Sequence, residues 1–118
     1  MPLQVHSIVL PPRNGYPFYI TAKRYAHPAF QTHQAAQSNR GSTDKSEPLT
    51  LLLLHSTSFH KEIYEPILET LFSLTAHGEL HIREAWAIEC PNHGESAVYN
   101  AGILQTKPFD EYCAYIPS

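Results

Sequence analysis

Glycine and cysteine are scarce in this 118-residue chain, which has five of the first and two of the second. Gly15, Gly41, Gly78, Gly94 and Gly102 cannot be assembled into a phosphate-binding loop of either standard spacing. Cys90 and Cys113 are too few for a disulfide framework, and no Asn-x-Ser/Thr acceptor occurs, so nothing points to a secreted form. The leucine run Leu51 to Leu54 falls far short of the roughly 18 residues that span a bilayer, and no other apolar run is longer than five residues. Ser7-Ile8-Val9-Leu10 is broken at once by Pro11 and Pro12, so no secretory leader is visible. A cytoplasmic location is the default expectation. Charge is also sparse, with 16% charged residues, a formal net charge of -3 and no like-charge block. No stretch interleaves Lys or Arg with aromatics, which argues against a nucleic-acid partner.

What remains is 42% hydrophobic and 11% aromatic, enough for one globular core over residues 1–118. Val5, Ser7 and Val9 alternate with His6, Ile8 and Leu10, and Pro11 to Gly15 supplies turn chemistry, so a strand followed by a turn is expected. Tyr16 to Tyr25 is aromatic and β-branched and would return antiparallel to the first strand. Residues 31–48 carry no large aliphatic side chain and read as a flexible loop. Leu49 to Leu54 is apolar on both faces, as in a central parallel strand covered by helices.

Ile63, Ile67, Leu71 and Leu74 then recur at helical spacing, with Leu68 and Phe72 widening the stripe. Pro66 is tolerated only in a first turn, which starts this helix near Ile63 to Glu65, and Gly78 suits its end. Ala85 to Cys90 reads as a second parallel strand, which completes a right-handed β-α-β unit. Beyond Ser96 the pattern weakens, although residues 109–116 could begin another helix.

Two polar clusters lie just past the carboxyl ends of the two parallel strands, where this architecture places chemistry. They are His55-Ser56-Thr57-Ser58-Phe59-His60-Lys61-Glu62 and Glu89-Cys90-Pro91-Asn92-His93-Gly94-Glu95-Ser96. Their order and separation resemble the α/β-hydrolase superfamily. The likeness is greatest to fungal-type members with a His-Gly-Thr-x-Phe-His-Lys-Glu turn, a helix, and a Cys-Pro-Asn-His-Gly loop. The resemblance runs from Leu49 to Asn100 and implies the N-terminal portion of a single α/β-hydrolase domain: a mixed sheet with antiparallel strands followed by the β-α-β unit.

In that superfamily the first turn presents backbone N–H groups to the oxyanion formed in acyl transfer, and preorganised donors stabilise that charge. The resemblance makes His55, Ser56, Thr57 and Ser58 the oxyanion-turn residues, with the Thr57 N–H as donor. Ser56 stands where the family has Gly, so a positive φ there would strain the turn. The bland reading is that these residues end a strand and cap a helix. Glu89, Asn92, His93, Gly94 and Ser96 would form a structural loop at the site mouth, with Glu89 replacing the family's more usual Asp. The family's nucleophile sits in G-x-S-x-G, and no two glycines here flank a serine at that spacing. No catalytic set is complete, and the acid and base are missing with the nucleophile.

No cofactor is implied. His77 with His81 and Cys90 with His93 suggest zinc ligands, but Gly78 separates the first pair, so no metal is expected, and Cys90 reads as an inert thiol. The implied function is a fragment of a serine hydrolase acting on an ester, lactone or amide in a small-molecule substrate, inactive by itself. The alternatives are a non-catalytic partner-binding module and an incomplete gene product. Without the next strand, Leu49–Leu54 becomes an apolar edge, from which marginal stability and self-association are expected.

Overall fold

The computed structural model describes residues 3–27, 47–78 and 80–106. Four strands make one mixed sheet: β1 (Gln4–Leu10), β2 (Ile20–Ala26), β3 (Leu49–Leu54) and β4 (Ile82–Ile88), in the order β1-β2-β4-β3. β1 pairs antiparallel with β2, and β2 antiparallel with β4. β3 and β4 run parallel, joined through a 3₁₀ turn at Lys61–Tyr64 and helix α1 (Glu65–Ala76). Two short helices follow, α2 (Gly94–Tyr99) and α3 (Ala101–Leu104).

The sequence rules account for the ends of α1. Pro66 lies in the first turn, where its missing N–H breaks no helical bond, and Glu65 places a carboxylate at the positive end of the dipole. At the other end Gly78 adopts φ +83° and donates its N–H to the Thr75 carbonyl at 3.0 Å. That left-handed residue is why glycine stands there.

The β pairing puts Leu51 and Leu53 of β3, Ala85 and Ala87 of β4, and Tyr25 of β2 on one face of the sheet. Leu68 and Phe72 of α1 cover that face and are fully buried. The alanines of β4 let the helix approach closely, and each large side chain so buried contributes about 1.5–3 kcal/mol relative to exposure. Arg24, Glu84 and Trp86 occupy the opposite face, where Glu84 accepts from both Arg24 and the Trp86 indole.

Several expectations change in detail. β2 begins at Ile20, because Tyr16 closes a tight turn with Arg13 through reciprocal backbone bonds of 2.9 Å. β4 spans Ile82–Ile88, so Glu89 and Cys90 lie beyond its end. The helix packs through Leu68 and Phe72, while Ile63 and Ile67 of the expected stripe point outward, Ile67 being 55% exposed. Leu49–Leu54 lies at the edge of the described sheet, as expected, and is not covered by helices on both faces, with Leu52 at 68% and Leu54 at 70% exposure. Its apolar second face meets no covering helix among the described residues. The two helices after His93 were not expected. The anticipated loop at 31–48 lies outside the described residues except for Glu47 and Pro48, and so does the anticipated helix at 109–116. Among the described residues no helix is long and apolar enough to cross a membrane.

Candidate functional site

Parallel pairing of β3 and β4 brings the segments after Leu54 and Ile88 to the same end of the sheet. The first forms a β-turn over Ser56–Phe59, closed by the Phe59 N–H to the Ser56 carbonyl at 3.0 Å. Ser58, its third residue, has φ +73°. A positive φ at that position is the mark of a type II turn, which ordinarily places glycine there. The strain anticipated at Ser56 therefore falls on Ser58, two residues later.

Hydrogen bonding to the second loop holds this turn. The Ser58 N–H donates to His93 Nε2 at 3.0 Å, which leaves the ring proton on Nδ1, donated to Asn92 Oδ1 at 2.7 Å. His55 repeats the pattern: Nε2 accepts the Cys90 N–H at 3.0 Å, and Nδ1 donates to the Ser56 carbonyl at 2.9 Å. The two imidazoles lie 4.8 Å apart between centroids. Burial first, and the neighbouring His55 second, hold the His93 pKa below the ordinary imidazole value against an opposing pull from Glu89. A neutral His93 is the form that can accept the Ser58 N–H. With the Ser58 N–H engaged, the Thr57 N–H meets no acceptor among the described residues.

Beneath the turn lies a buried polar hub. The Glu89 carboxylate is fully buried and accepts from Lys61 Nζ at 3.0 Å, the Lys61 N–H at 3.1 Å, the Ser96 N–H at 3.2 Å and the Thr21 hydroxyl at 2.9 Å. Burial by itself raises its pKa; these donors, the Lys61 ammonium foremost, outweigh burial and hold the carboxyl below its usual range. For Lys61, also buried, desolvation pulls the pKa down, and bonding to Glu89 and Glu62 overrides it and raises the value. Glu62 is held at about 2: desolvation raises it, and Lys61 and Lys23 more than offset that. Ionised, enclosed and saturated with donors, Glu89 is an anchor and not a proton acceptor in chemistry.

Gly94 fits this hub for a steric reason. It has φ +47°, and a Cβ there would stand 2.2 Å from Glu89 Oε2. Asn100 extends the network by accepting the Tyr19 N–H at 2.7 Å and donating to the Tyr19 and Pro91 carbonyls at 2.8 and 3.0 Å. The start of β2, the turn after β3 and the loop after β4 are thus tied at one corner.

The sequence-selected residues therefore divide. His55, Ser58, Asn92 and His93 interlock at the mouth; Glu89, Gly94 and Ser96 belong to the hub below. Thr57 stays exposed. Lys61, Thr21 and Asn100 were not singled out for a role, and Lys61 offered one signal: like Glu89, it lies just past a parallel strand. Among the described residues, a ring nitrogen of His55, one of His93 and Cys90 Sγ lie within 4.8 Å of one another, a set able to hold a metal ion. His77 and His81 take no part in it. Cys90 is half-buried and lies past the end of β4, not within the strand as expected.

No protein-family model matches the chain, and no curated protein matches its sequence. Among solved structures it is similar to the peroxisomal alpha-beta-hydrolase Lpx1 of Saccharomyces cerevisiae, with a TM-score of 0.62 and 21% identity over 85% of this chain. The fold is that of a partial α/β-hydrolase. At this identity the likeness concerns the fold alone, and the chain spans 27% of the length of that hydrolase. In the α/β-hydrolase frame, the Ser56–Phe59 turn and the loop from Glu89 to His93 adjoin the carboxyl ends of parallel strands, the edge at which open α/β sheets bind ligands.

Proposed function

We propose that this chain is the part of an α/β-hydrolase that builds the oxyanion side of the active site, with the Thr57 N–H as donor. The supporting observation is that this N–H is left without an acceptor on a turn whose next N–H is tied to His93. An unengaged donor on a turn just past a strand's carboxyl end suits the developing charge of acyl transfer. On this reading the substrate is a small molecule with an ester, lactone or amide bond, and the location is cytoplasmic. The nucleophile, acid and base are not supplied by these 118 residues, which contain no G-x-S-x-G. The chain alone should give no turnover of an activated ester and no labelling by a serine-directed fluorophosphonate; ester turnover abolished by that reagent would sink the assignment. In any longer product that carries the elbow, Thr57→Pro keeps the second position of the turn, which favours proline, and deletes the N–H. It should lower kcat by roughly 10²–10³.

A second reading, a partner-binding module that adds a strand at β3, is favoured by the exposure of Leu52 and Leu54 on that edge. Co-purification of a partner with slowed exchange of the Leu49–Leu54 amides would support it, and self-association through the same edge would give protection that grows with concentration.

A further inference from the structure

We propose that His55, Cys90 and His93 form a binding site for a zinc-class divalent cation. The three residues come from two loops, His55 from the one after β3 and Cys90 and His93 from the one after β4, and only the parallel pairing of β3 with β4 brings them together. One nitrogen from each ring and the Cys90 sulfur lie within 4.8 Å of one another. Both rings are already oriented as ligands are. In each, Nδ1–H is anchored to a carbonyl oxygen, Ser56 O for His55 and Asn92 Oδ1 for His93, so the lone pair is on Nε2. Anchoring the far nitrogen in this way fixes tautomer and ring plane in metal centres.

Two imidazoles and a thiolate suit zinc, which takes nitrogen and sulfur ligands, and do not suit calcium or magnesium, which take oxygen. Zinc–nitrogen bonds of about 2.0–2.1 Å and zinc–sulfur bonds of about 2.3 Å require the ligands to draw together from their present spacing. As they close, the Cys90 thiol releases its proton to solvent, and the Nε2 atoms exchange the Cys90 and Ser58 N–H donors for the ion. Three protein ligands leave a fourth tetrahedral position for water. On the hydrolase reading, which this step uses without depending on it, the released Ser58 N–H would join that of Thr57 at the mouth.

The test is anaerobic titration of the reduced, metal-free full chain with cobalt(II), whose thiolate charge-transfer band reports sulfur ligation. A saturable near-ultraviolet band with visible bands of tetrahedral intensity is expected, bleached by added zinc. Cys90→Ser should remove the charge-transfer band, and His55→Gln and His93→Gln should each weaken binding at least tenfold, whereas Cys113→Ser and His77→Gln should leave it unchanged. A readout that needs no variant is alkylation of the wild-type chain, in which zinc should slow modification of Cys90 and not of Cys113. The proposal is overturned by the absence of a saturable band, by a band that survives Cys90→Ser or depends on Cys113, or by alkylation of Cys90 that zinc leaves unchanged. None of these outcomes depends on hydrolase activity.

Discussion

Lys61→Met isolates the energetic role of the buried hub. The substitution keeps the length and apolar stem of the side chain and the Lys61 backbone N–H, and removes the ammonium 3.0 Å from Glu89. The carboxylate retains three neutral donors, from residue 61, Ser96 and Thr21, and has lost its cation at a position with no solvent access. Breaking a buried ion pair by removing one partner costs about 3–5 kcal/mol, and the retained donors favour the lower end. In a domain of this size each kcal/mol moves Tm by roughly 4 °C, so a fall of about 12 °C at pH 7 is expected. Thermal unfolding followed by far-ultraviolet circular dichroism measures it. The sign with pH is also fixed. Glu89 has a depressed folded pKa, so its stabilisation is present above the unfolded carboxylate value of about 4.3 and lost as pH falls through the folded value. The gap between wild type and Lys61→Met should therefore narrow in acid. Adding Glu89→Gln to the variant should recover part of the loss. Equal melting temperatures, or a gap constant from neutral to acid pH, would refute the account of the hub.

Gly94→Ala drives a methyl group to 2.2 Å from Glu89 Oε2 and should cost about 1–3 kcal/mol or more in urea unfolding, partly relieved by Glu89→Asp. Ser58→Gly removes the left-handed strain at φ +73° and should leave stability unchanged or raise it by up to about 1 kcal/mol, whereas Ser58→Val should lower it. Leu52→Lys places a charge on the exposed edge strand and should suppress concentration-dependent light scattering while changing stability by no more than about 0.5 kcal/mol. Because Glu62 is held at about 2 and Glu84 and Glu89 are also depressed, stability of the wild type should decline steadily in Tm measurements from about pH 4.3 downward.

Local chemistry was legible wherever backbone geometry alone decided it. Pro66 and Gly78 bracket α1 in the sequence as they do in the structure, and the Leu49–Leu54 run announced a strand. The partner of each element was less legible. Periodicity cannot tell which of two adjoining apolar rows faces the sheet, so Ile63 and Ile67 counted equally with Leu68 and Phe72. An apolar strand and an uncovered edge strand share one pattern, because burial depends on neighbours outside the segment. At the site, His93 and Gly94 stood out through the motif. The Lys61–Glu89 pair, 28 residues apart, and the Thr21 and Asn100 contacts arise only from strand order. The positive φ fell on Ser58 because the turn is counted from Ser56, which the motif alone does not reveal.

Residue-resolved amide exchange in the metal-free chain tests most directly whether the loops after β3 and β4 meet as one mouth. Slow exchange at Ser58, fast exchange at Thr57, and loss of the Ser58 protection in His93→Ala are the predicted result. Fast exchange at Ser58 in the folded wild type, or protection indifferent to His93, would contradict the placement on which the hydrolase reading stands.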